Sequence, residues 1–238
     1  MALLFSVSSL GAQTATNENV WVQLFHEHRL DGRWSLTGEA QFRRSELGKS
    51  TQQLLLRPGV SVAVSPRLRL GAGYAFVDTE RYGDAPVGVP FPEHRLWQHA
   101  VVSAATGDVA WQGRLRLEQR WLGVTRFTPT RDVEVMDWRF RQRARGLLRA
   151  SVDATALGVD LPSLYATTWN EFFVHLGGAV NGRTIDQNRA TVQLGWRASP
   201  RFRIEAGYMQ QYIVRGAPGV SEVNHSVIVS LWTTSGVP

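Results

Sequence analysis

Charged and bulky apolar residues alternate with a period of two along several stretches of this chain. The clearest stretch, 138–145, carries an arginine at every second position with Trp138 and Phe140 in between. Side chains of a β-strand point alternately to the two faces of its sheet, so this pattern places charge on one face and apolar groups on the other. A soluble sheet buries its apolar face, whereas a transmembrane β-barrel turns that face to lipid and encloses the polar one. The pattern therefore predicts strands and leaves two architectures to distinguish.

The same alternation, bounded by turn residues, predicts a meander of strands in one domain. The predicted ranges are 20–30, 34–44, 52–64, 68–79, 93–105, 109–122, 136–149, 163–176, 187–198, 202–213 and 222–232. Short turns such as Asp31-Gly32 alternate with longer loops, as the periplasmic turns and extracellular loops of outer-membrane barrels do. The join 150–162 departs from this rule, because it is long where a short turn is expected.

The number of predicted strands does not agree with this interpretation. Eleven strands are found, whereas single-chain bacterial barrels have an even number. We therefore predict an all-β fold, a single antiparallel up-and-down transmembrane β-barrel of about twelve strands with ten as the alternative. The twelfth strand is sought in 1–19 or 150–162, and a first segment that passes through the lumen is the other explanation.

The first fifteen residues are interpreted separately from the barrel. The stretch 2–12 is apolar and ends in small residues, which resembles the apolar core and cleavage zone of a secretory signal without its basic start. We predict a truncated signal peptide at 1–15 and one barrel domain at 16–238. No stretch approaches the roughly 18 to 20 apolar residues of a spanning helix, so membrane residence would depend on strands or a surface anchor.

The charged face predicts an arginine-rich lumen. Enclosed charges are costly unless they are paired, so glutamates are expected to pair with arginines of neighbouring strands, and the arginine surplus predicts a positive interior. Glycines on this face, such as Gly71 and Gly195, are expected to make room for long arginines. The predicted charge network comprises Glu39, Arg43, Arg57, Glu93, Arg95, Arg114, Arg116, Glu118, Arg120, Arg139, Arg141, Arg143, Arg145, Glu171, Arg189, Arg203 and Glu205.

The opposite face is apolar and predicts a surface in contact with lipid. It carries Leu, Val and Phe along the predicted strands, with aromatic residues tending toward the strand ends, where an interfacial girdle would lie. A lipid-facing Arg or Lys near the midplane costs about 2 to 4 kcal/mol, and this face has almost none. A soluble lipocalin-like barrel, the alternative, would reverse the two faces.

Composition narrows the function classes. The formal net charge of +6 is nearly all arginine, because Lys49 is the only lysine, and the absence of cysteine excludes disulfides and thiolate metal sites. The arginines are spread over most strands, opposite the aromatic residues, rather than gathered in one exposed patch, so no nucleic-acid partner is predicted. His26 and His28 share a face without an evident third ligand, so we predict no metal and no cofactor.

Several motifs occur in an order that resembles one family of bacterial envelope proteins. They are LRPG at 56–59, RLEQRW at 116–121, NEFF at 170–173, DQNR at 186–189 and EAGYMQQ at 205–211. The family is a domain of unknown function that is expected to form an outer-membrane β-barrel, and the resemblance covers essentially the whole chain after about residue 19. It implies the fold and the location. It implies no activity and therefore no catalytic residue.

An enzyme of the outer membrane acting on lipid is the catalytic alternative. Asn224, His225 and Ser226 are adjacent, but a catalytic triad is assembled in space, and neighbouring residues of a strand point to opposite faces. No catalytic residue is therefore predicted. The sequence favours a protein of the bacterial outer membrane, either a narrow anion-preferring pore or a largely occluded structural barrel. Its expected partners are membrane lipid and small anions, and its oligomeric state is left open.

Overall fold

The strands close into one barrel in the computed structural model, which describes residues 13–84, 86–177, 184–215 and 220–237. Two short 3₁₀ turns, Glu46–Gly48 and Ala154–Leu157, interrupt the strand order. No helix in these ranges is long and apolar enough to cross a membrane. The strands are β1 (Gln13–Arg29), β2 (Trp34–Ser45), β3 (Ser50–Ala63), β4 (Leu68–Thr79), β5 (Phe91–Thr106), β6 (Val109–Phe127), β7 (Val133–Asp153), β8 (Leu164–Leu176), β9 (Ile185–Ser199), β10 (Phe202–Val214) and β11 (Val220–Gly236).

The barrel closes by a parallel pairing between its first and last strands. Each strand pairs antiparallel with its neighbour in sequence, while β1 pairs with β11 in parallel from Gln13↔Val220 to Arg29↔Gly236. An odd number of strands that alternate in direction leaves the first and last strands running the same way, so closure must be parallel. The predicted up-and-down barrel is thus confirmed. The closed barrel of the described residues has eleven strands where about twelve were expected.

The ends of the chain explain why no twelfth strand is needed. The strand predicted at 20–30 begins earlier, because 13–19 continue its alternation and pair with 220–226 of β11. Residues 13–15, which the sequence analysis grouped with the signal peptide, belong to β1, and the rest of that predicted peptide lies outside the described residues. The join 150–162 is shorter than predicted, since β7 extends to Asp153 and a 3₁₀ turn follows.

Short turns lie at one end of the barrel and are held by side chains at their first residue. The Asp31 carboxylate accepts hydrogen bonds from the backbone N–H groups of Trp34 and Arg33, at 2.7 Å each, and these donors hold the pKa of Asp31 below its ordinary value. Ser65 and Ser199 accept in the same way from the backbone within their own turns. These local bonds explain why turn chemistry predicted the hairpins correctly.

The hairpin of β6 and β7 extends far beyond the rest of the barrel at the long-loop end. These two strands contain 19 and 21 residues, the longest in the fold. The neighbouring strand β8 pairs with β7 only from Gln142 onward, so residues 133–141 have no partner on that side among the described residues. Side chains in this extension are therefore exposed regardless of which face they occupy.

The two faces of the barrel wall differ sharply in exposure. Apolar side chains on the outside are exposed on every strand, as at Leu115, Val192 and Leu194. Polar and charged side chains on the inside are buried, together with a small apolar cluster formed by Trp21, Met209 and Ile228. The hydrophobic core of a soluble barrel is thus replaced by a mainly polar interior.

Inward-facing glycines accommodate aromatic side chains. A Cβ added at Gly195 would lie 2.1 Å from the ring of Tyr165, and one at Gly73 would lie 2.7 Å from the ring of Trp97. A Cβ at Gly71 would meet the His99 ring at 2.5 Å. This room was expected to hold arginines, but aromatic and imidazole rings occupy it instead.

Candidate functional site

Glu118 lies at the centre of an ion-pair network in the lumen. The sheet register places it opposite Arg143 on β7. Arg143 donates to Oε2 of this carboxylate over 2.6 Å, and Arg145 donates to Oε1 over 2.6 Å. Glu118 is only 1% exposed. Because each of these charges has lost its water, the carboxylate and both guanidiniums depend on one another.

The network continues on both sides of this centre. Arg143 reaches Asp186 on β9, with Nη1 2.7 Å from Oδ2. Arg145 donates from Nη2 to both oxygens of Glu171 on β8 at 2.9 Å, and Arg114 donates to Glu171 at 2.8 Å. Carboxylates and guanidiniums of four adjacent strands are therefore connected without interruption.

Glu93 on β5 holds two arginines that would otherwise repel each other. Arg95 and Arg120 stand directly opposite in the sheet, where like charges are destabilising. Each donates to Glu93 Oε1 over 2.5 Å and to Oε2 at 2.9 to 3.0 Å. This paired geometry matches the fork of the guanidinium to the two carboxylate oxygens.

Two simpler groups lie outside this network. Arg57 pairs with Glu39, directly opposite on β2, at 2.5 Å. Near the short turns, Glu205 accepts from Arg149 at 2.5 Å and from the hydroxyl of Tyr165 at 2.6 Å. Both carboxylates are buried or nearly so, which satisfies the requirement that enclosed charges be paired.

Three buried arginines form no ion pair with a carboxylate of the described residues, namely Arg43, Arg116 and Arg189. Arg43 donates to the amide oxygens of Gln41, at 3.1 Å from Nε, and Gln53. Arg189 donates to Gln187 at 3.4 Å. Amide oxygens orient these guanidiniums but supply no counter-charge.

Arg116 lies in a different environment from the other two. Its Nη2 is 3.3 Å from Nδ1 of His99, and its guanidinium lies 5.1 Å from the ring of Trp97. Its Nε and Nη1 are buried without a hydrogen-bond partner in the described residues. The arginines without a carboxylate partner therefore lie in two places in the lumen, Arg43 and Arg189 around Trp21 and Arg116 beside Trp97.

Aromatic rings inside the barrel make cation–π contacts with several lumen arginines. The guanidinium carbons of Arg43 and Arg189 lie 4.0 and 5.0 Å from the ring of Trp21. Arg145 and Arg189 lie 4.4 and 4.7 Å from the ring of Phe173. Such cation–π contacts strengthen when they are withdrawn from water. Aromatic residues were expected on the outer face, although Trp21 and Phe173 share the period of inward polar neighbours.

A cavity of about 160 Å³ opens among these arginines at the long-loop end of the lumen. Tyr82, from the loop between β4 and β5, reaches over it and donates to Glu222 at 3.1 Å. Arg215 donates to the Tyr82 hydroxyl at 3.1 Å and pairs with Glu222. Burial raises the pKa of the Tyr82 phenol above its ordinary value. The loop therefore narrows this mouth.

Three predicted lumen residues lie elsewhere, which corrects the sequence analysis. Arg139 and Arg141 have the inward period, but they belong to the part of β7 that extends beyond β8 and are exposed. Arg203 lies at the rim near the short turns with its side chain 44% exposed, stacked 4.6 Å from Trp232 and 3.7 Å from Glu205. The other predicted residues point into the lumen.

Several lumen residues escaped the sequence analysis. They are Asp186, Glu222, Arg149, Arg215 and Tyr165, together with the two inward aromatic residues described above. Asp186 was assigned to a loop because the start of β9 was predicted two residues too late. Arg215 does lie in a loop, directly after the end of β10, and was missed because its side chain reaches back to the lumen. Glu222 shares the period of Asn224 and Ser226, which was a usable signal.

The candidate catalytic residues are not brought together. Asn224 and Ser226 point into the lumen, whereas His225 lies on the outer face within 2.5 Å of the Tyr208 hydroxyl. His26 and His28 hydrogen-bond to hydroxyls of β11, and the described residues hold no group of three His, Asp or Glu able to bind a metal. Neither triad nor metal geometry is present in this part of the chain.

Comparison with known proteins agrees with the barrel. A family described as protein of unknown function (DUF2490) matches residues 18–222. An uncharacterized protein of Methylorubrum extorquens is 28% identical over 182 residues, which is 76% of this chain and 72% of that protein. The solved NanC porin superposes with a TM-score of 0.50 at 9% identity, covering 90% of this chain and 97% of that one. At this identity the likeness to the porin concerns the fold alone.

Proposed function

We propose that this chain, which belongs to the DUF2490 family of proteins of unknown function, is an outer-membrane β-barrel whose lumen is largely filled by its own side chains. The observation that carries the proposal is the inversion of the two faces. Apolar side chains such as Leu115 and Leu194 are more than 70% exposed outside, while Glu118 and Glu171 are buried inside. Water would penalise the outer face, whereas lipid would stabilise it. A soluble binding barrel would need the opposite arrangement.

Polar side chains on the outer face support a lipid environment. Gln98 and Gln119 exchange hydrogen bonds across β5 and β6, at 3.1 and 3.2 Å. Asn170 and Asn188 form an equivalent pair across β8 and β9. Lipid offers no hydrogen-bond partners, so polar groups that face it must be satisfied within the protein. These reciprocal pairs meet that requirement.

Aromatic residues on the outer face lie in two bands near the strand ends. Trp34, Trp111 and Trp196 are exposed within a few residues of the short turns. Phe42 and Tyr212 are exposed near the long loops. Trp and Tyr favour the membrane–water interface, where their rings contact both lipid and headgroups. The bands support a membrane-spanning barrel, and the general rule that outer-membrane barrels have their longer loops outside assigns the long loops to the extracellular side.

The buried interior supports an occluded lumen rather than an open channel. In a water-filled pore, charged side chains of the lumen would be wet, yet Glu93, Glu118 and Glu171 are each at most 2% exposed. Barrels of small strand number are filled by their own side chains. We therefore expect little conductance, and a preference for anions in any current that passes, because arginines outnumber carboxylates in the lumen.

Fractionation and bilayer recording test this function. The full chain should be recovered in the outer-membrane fraction, migrate faster in detergent gels before heating than after it, and give at most small, anion-preferring currents in planar bilayers. Recovery as a soluble protein would contradict the location. Large open-channel currents with cation preference would contradict the proposed lumen.

A narrow anion-preferring pore is the second candidate function, and the cavity at the long-loop end favours it. This cavity lies directly under Tyr82 and Arg215, which narrow its mouth. If the barrel conducts, Tyr82→Ala should increase the anion current, since it removes the side chain that covers the mouth. Leu157→Ala, in the exposed turn at the opposite end, is the control and should leave the current unchanged.

A further inference from the structure

We propose that the cavity at the long-loop end binds one small oxyanion, a carboxylate or phosphate group, between the guanidiniums of Arg43 and Arg189. The proposal deepens the proposed function, because it assigns the anion preference of the lumen to a defined site. The proposed site rests on the barrel interior assigned above and does not require that the barrel conduct ions.

The lining of the cavity is strongly positive. Among the described residues only two carboxylates line it, Glu93 and Asp186, and both are already paired with arginines. Eight arginines line it, namely Arg43, Arg57, Arg95, Arg120, Arg143, Arg145, Arg189 and Arg215. An enclosed cavity with such an excess of one charge favours a counter-ion, because charges withdrawn from bulk water are screened less.

Arg43 and Arg189 are the members of this lining that form no ion pair with a described residue. Each is less than 10% exposed, and each is oriented by glutamine oxygens, at Gln41 and Gln53 for Arg43 and at Gln187 for Arg189. A buried charge without a counter-charge is costly. Neutral acceptors hold the two forks in place while leaving their charge available to a ligand.

Trp21 contacts both of these guanidiniums. Its indole Nε1 donates to Gln52 at 2.9 Å, which fixes the ring, and the guanidinium carbons of Arg43 and Arg189 lie 4.0 and 5.0 Å from the ring. Two like charges held around one ring repel, and an anion between them would remove that repulsion. The planar fork of arginine matches the oxygens of a carboxylate or phosphate, whereas a halide offers no such geometry.

The size of the cavity limits the ligand. A volume of about 160 Å³ corresponds to roughly ten water-sized positions at about 15 Å³ each. A phosphate or acetate ion with a few waters fits this space, and a large polyanion does not. The ligand is therefore expected to be a small molecule or the acidic group of one.

Arg116 provides a matched control within the same lumen. Like Arg43 and Arg189 it is buried and has no carboxylate partner in the described residues, but it packs against Trp97 and does not line the cavity. A non-specific effect of interior charge would respond to all three arginines. A specific site would respond only to the two that line the cavity.

Calorimetric titration of the purified, folded barrel in detergent tests the proposal. Inorganic phosphate and acetate, each at matched ionic strength against chloride, should bind with one site per chain, and chloride should not compete at equal concentration. Arg43→Gln and Arg189→Gln should each weaken binding by about tenfold or more, because a charge-assisted hydrogen bond is lost. Arg116→Gln should change it by less than about twofold.

Three results would overturn the site: no binding of either oxyanion, equal binding of chloride, or an equal loss in Arg116→Gln. If a glutamine variant does not fold, Arg43→Lys keeps the charge without the fork and should still weaken binding. The calorimetric titration measures binding to the purified barrel and does not depend on the results of fractionation or bilayer recording. Failure of this site therefore leaves the proposed membrane location open, and failure of that location leaves the site testable.

Discussion

The lumen has two regions that are stabilised by different chemistry. The charged wall, defined as the inward side chains of β5 to β9, is joined by ion pairs centred on Glu118. The seam, defined as β1 and β11, is joined by neutral pairs at a constant sequence separation of 207, such as Asn17–Asn224 and Gln23–Ser230 at 3.0 Å. Hairpin neighbours thus use charge, whereas the two ends of the chain use amides and hydroxyls.

The difference follows from how each contact is formed. Strands of the charged wall are joined by turns or loops, so their partners are already close when charges lose their water. The seam joins residues more than two hundred positions apart, so its closure costs the entropy of a long loop. No turn holds the two strands close together beforehand. Neutral groups lose less hydration than ions do on burial. The seam therefore achieves its register at a smaller desolvation penalty than ion pairs would require.

Glu118→Gln should have the largest effect, because it breaks the charged wall at its centre. Arg143 and Arg145 would remain buried with their shared carboxylate removed, and breaking a buried pair in this way costs about 3 to 5 kcal/mol. Urea unfolding of the purified barrel in lipid vesicles measures this loss. A loss below about 1 kcal/mol would mean that the wall behaves like a surface ion pair and that enclosure contributes little.

Ser230→Ala tests the seam and should have an intermediate effect. The Ser230 hydroxyl donates to Gln23, and its removal leaves a buried amide oxygen without that donor, at a cost of about 1 to 3 kcal/mol. Because both groups are neutral, the loss should be the same at low and high salt. Unfolding midpoints at the two salt concentrations measure it.

Ser226 supplies the control for this substitution. It lies on the same strand and is equally buried, but its hydroxyl has no hydrogen-bond partner in the described residues. Ser226→Ala should therefore leave stability unchanged or raise it slightly. An equal loss in both alanine variants would show that the seam depends on side-chain volume and not on hydrogen bonds.

Ile228→Val should have a smaller effect and tests the apolar part of the seam. Ile228 is fully buried against Trp21 and Met209, so removing one methyl group leaves a small gap that costs about 0.5 to 1.5 kcal/mol. The same urea unfolding measures it. Val227→Ile, on the exposed outer face, is the control and should change stability by less than about 0.5 kcal/mol.

The barrel was predictable from sequence because its signal is local. Strand faces follow from a period of two, and turns such as Asp31-Gly32 are fixed by bonds within a few residues. Nothing local reveals that β1 pairs in parallel with β11, since that contact depends on the two ends of the chain meeting. The odd number of strands was therefore found in the sequence but interpreted as a missing strand.

The lumen was predictable in its charge and not in its detail. The period assigns Glu118 and Arg145 to the inside, because face is a local property of a strand. It also assigns Arg141 there, although whether a neighbouring strand covers that height depends on where β8 ends. The inward Trp21 was missed because β1 was predicted to begin at residue 20, which made this mid-strand residue look like a strand-end aromatic of an interfacial girdle.

The smallest effect is expected for the exposed ion pair between Arg126 and Glu134. This pair has the same functional groups as the charged wall but is exposed to water. The pair spans 3.0 Å on the extended β6–β7 hairpin, with side chains 61% and 48% exposed. A double-mutant cycle with Arg126→Gln and Glu134→Gln should give a coupling of about 0.2 to 1 kcal/mol, which shrinks as salt approaches about 1 M, where the screening length is only about 3 Å. A coupling energy as large as the loss of stability in Glu118→Gln, or one that does not change with salt, would show that arginine–carboxylate geometry alone stabilises the wall. The expected contrast instead attributes that stability to enclosure, because the same two functional groups at similar distances are weak once water can reach them.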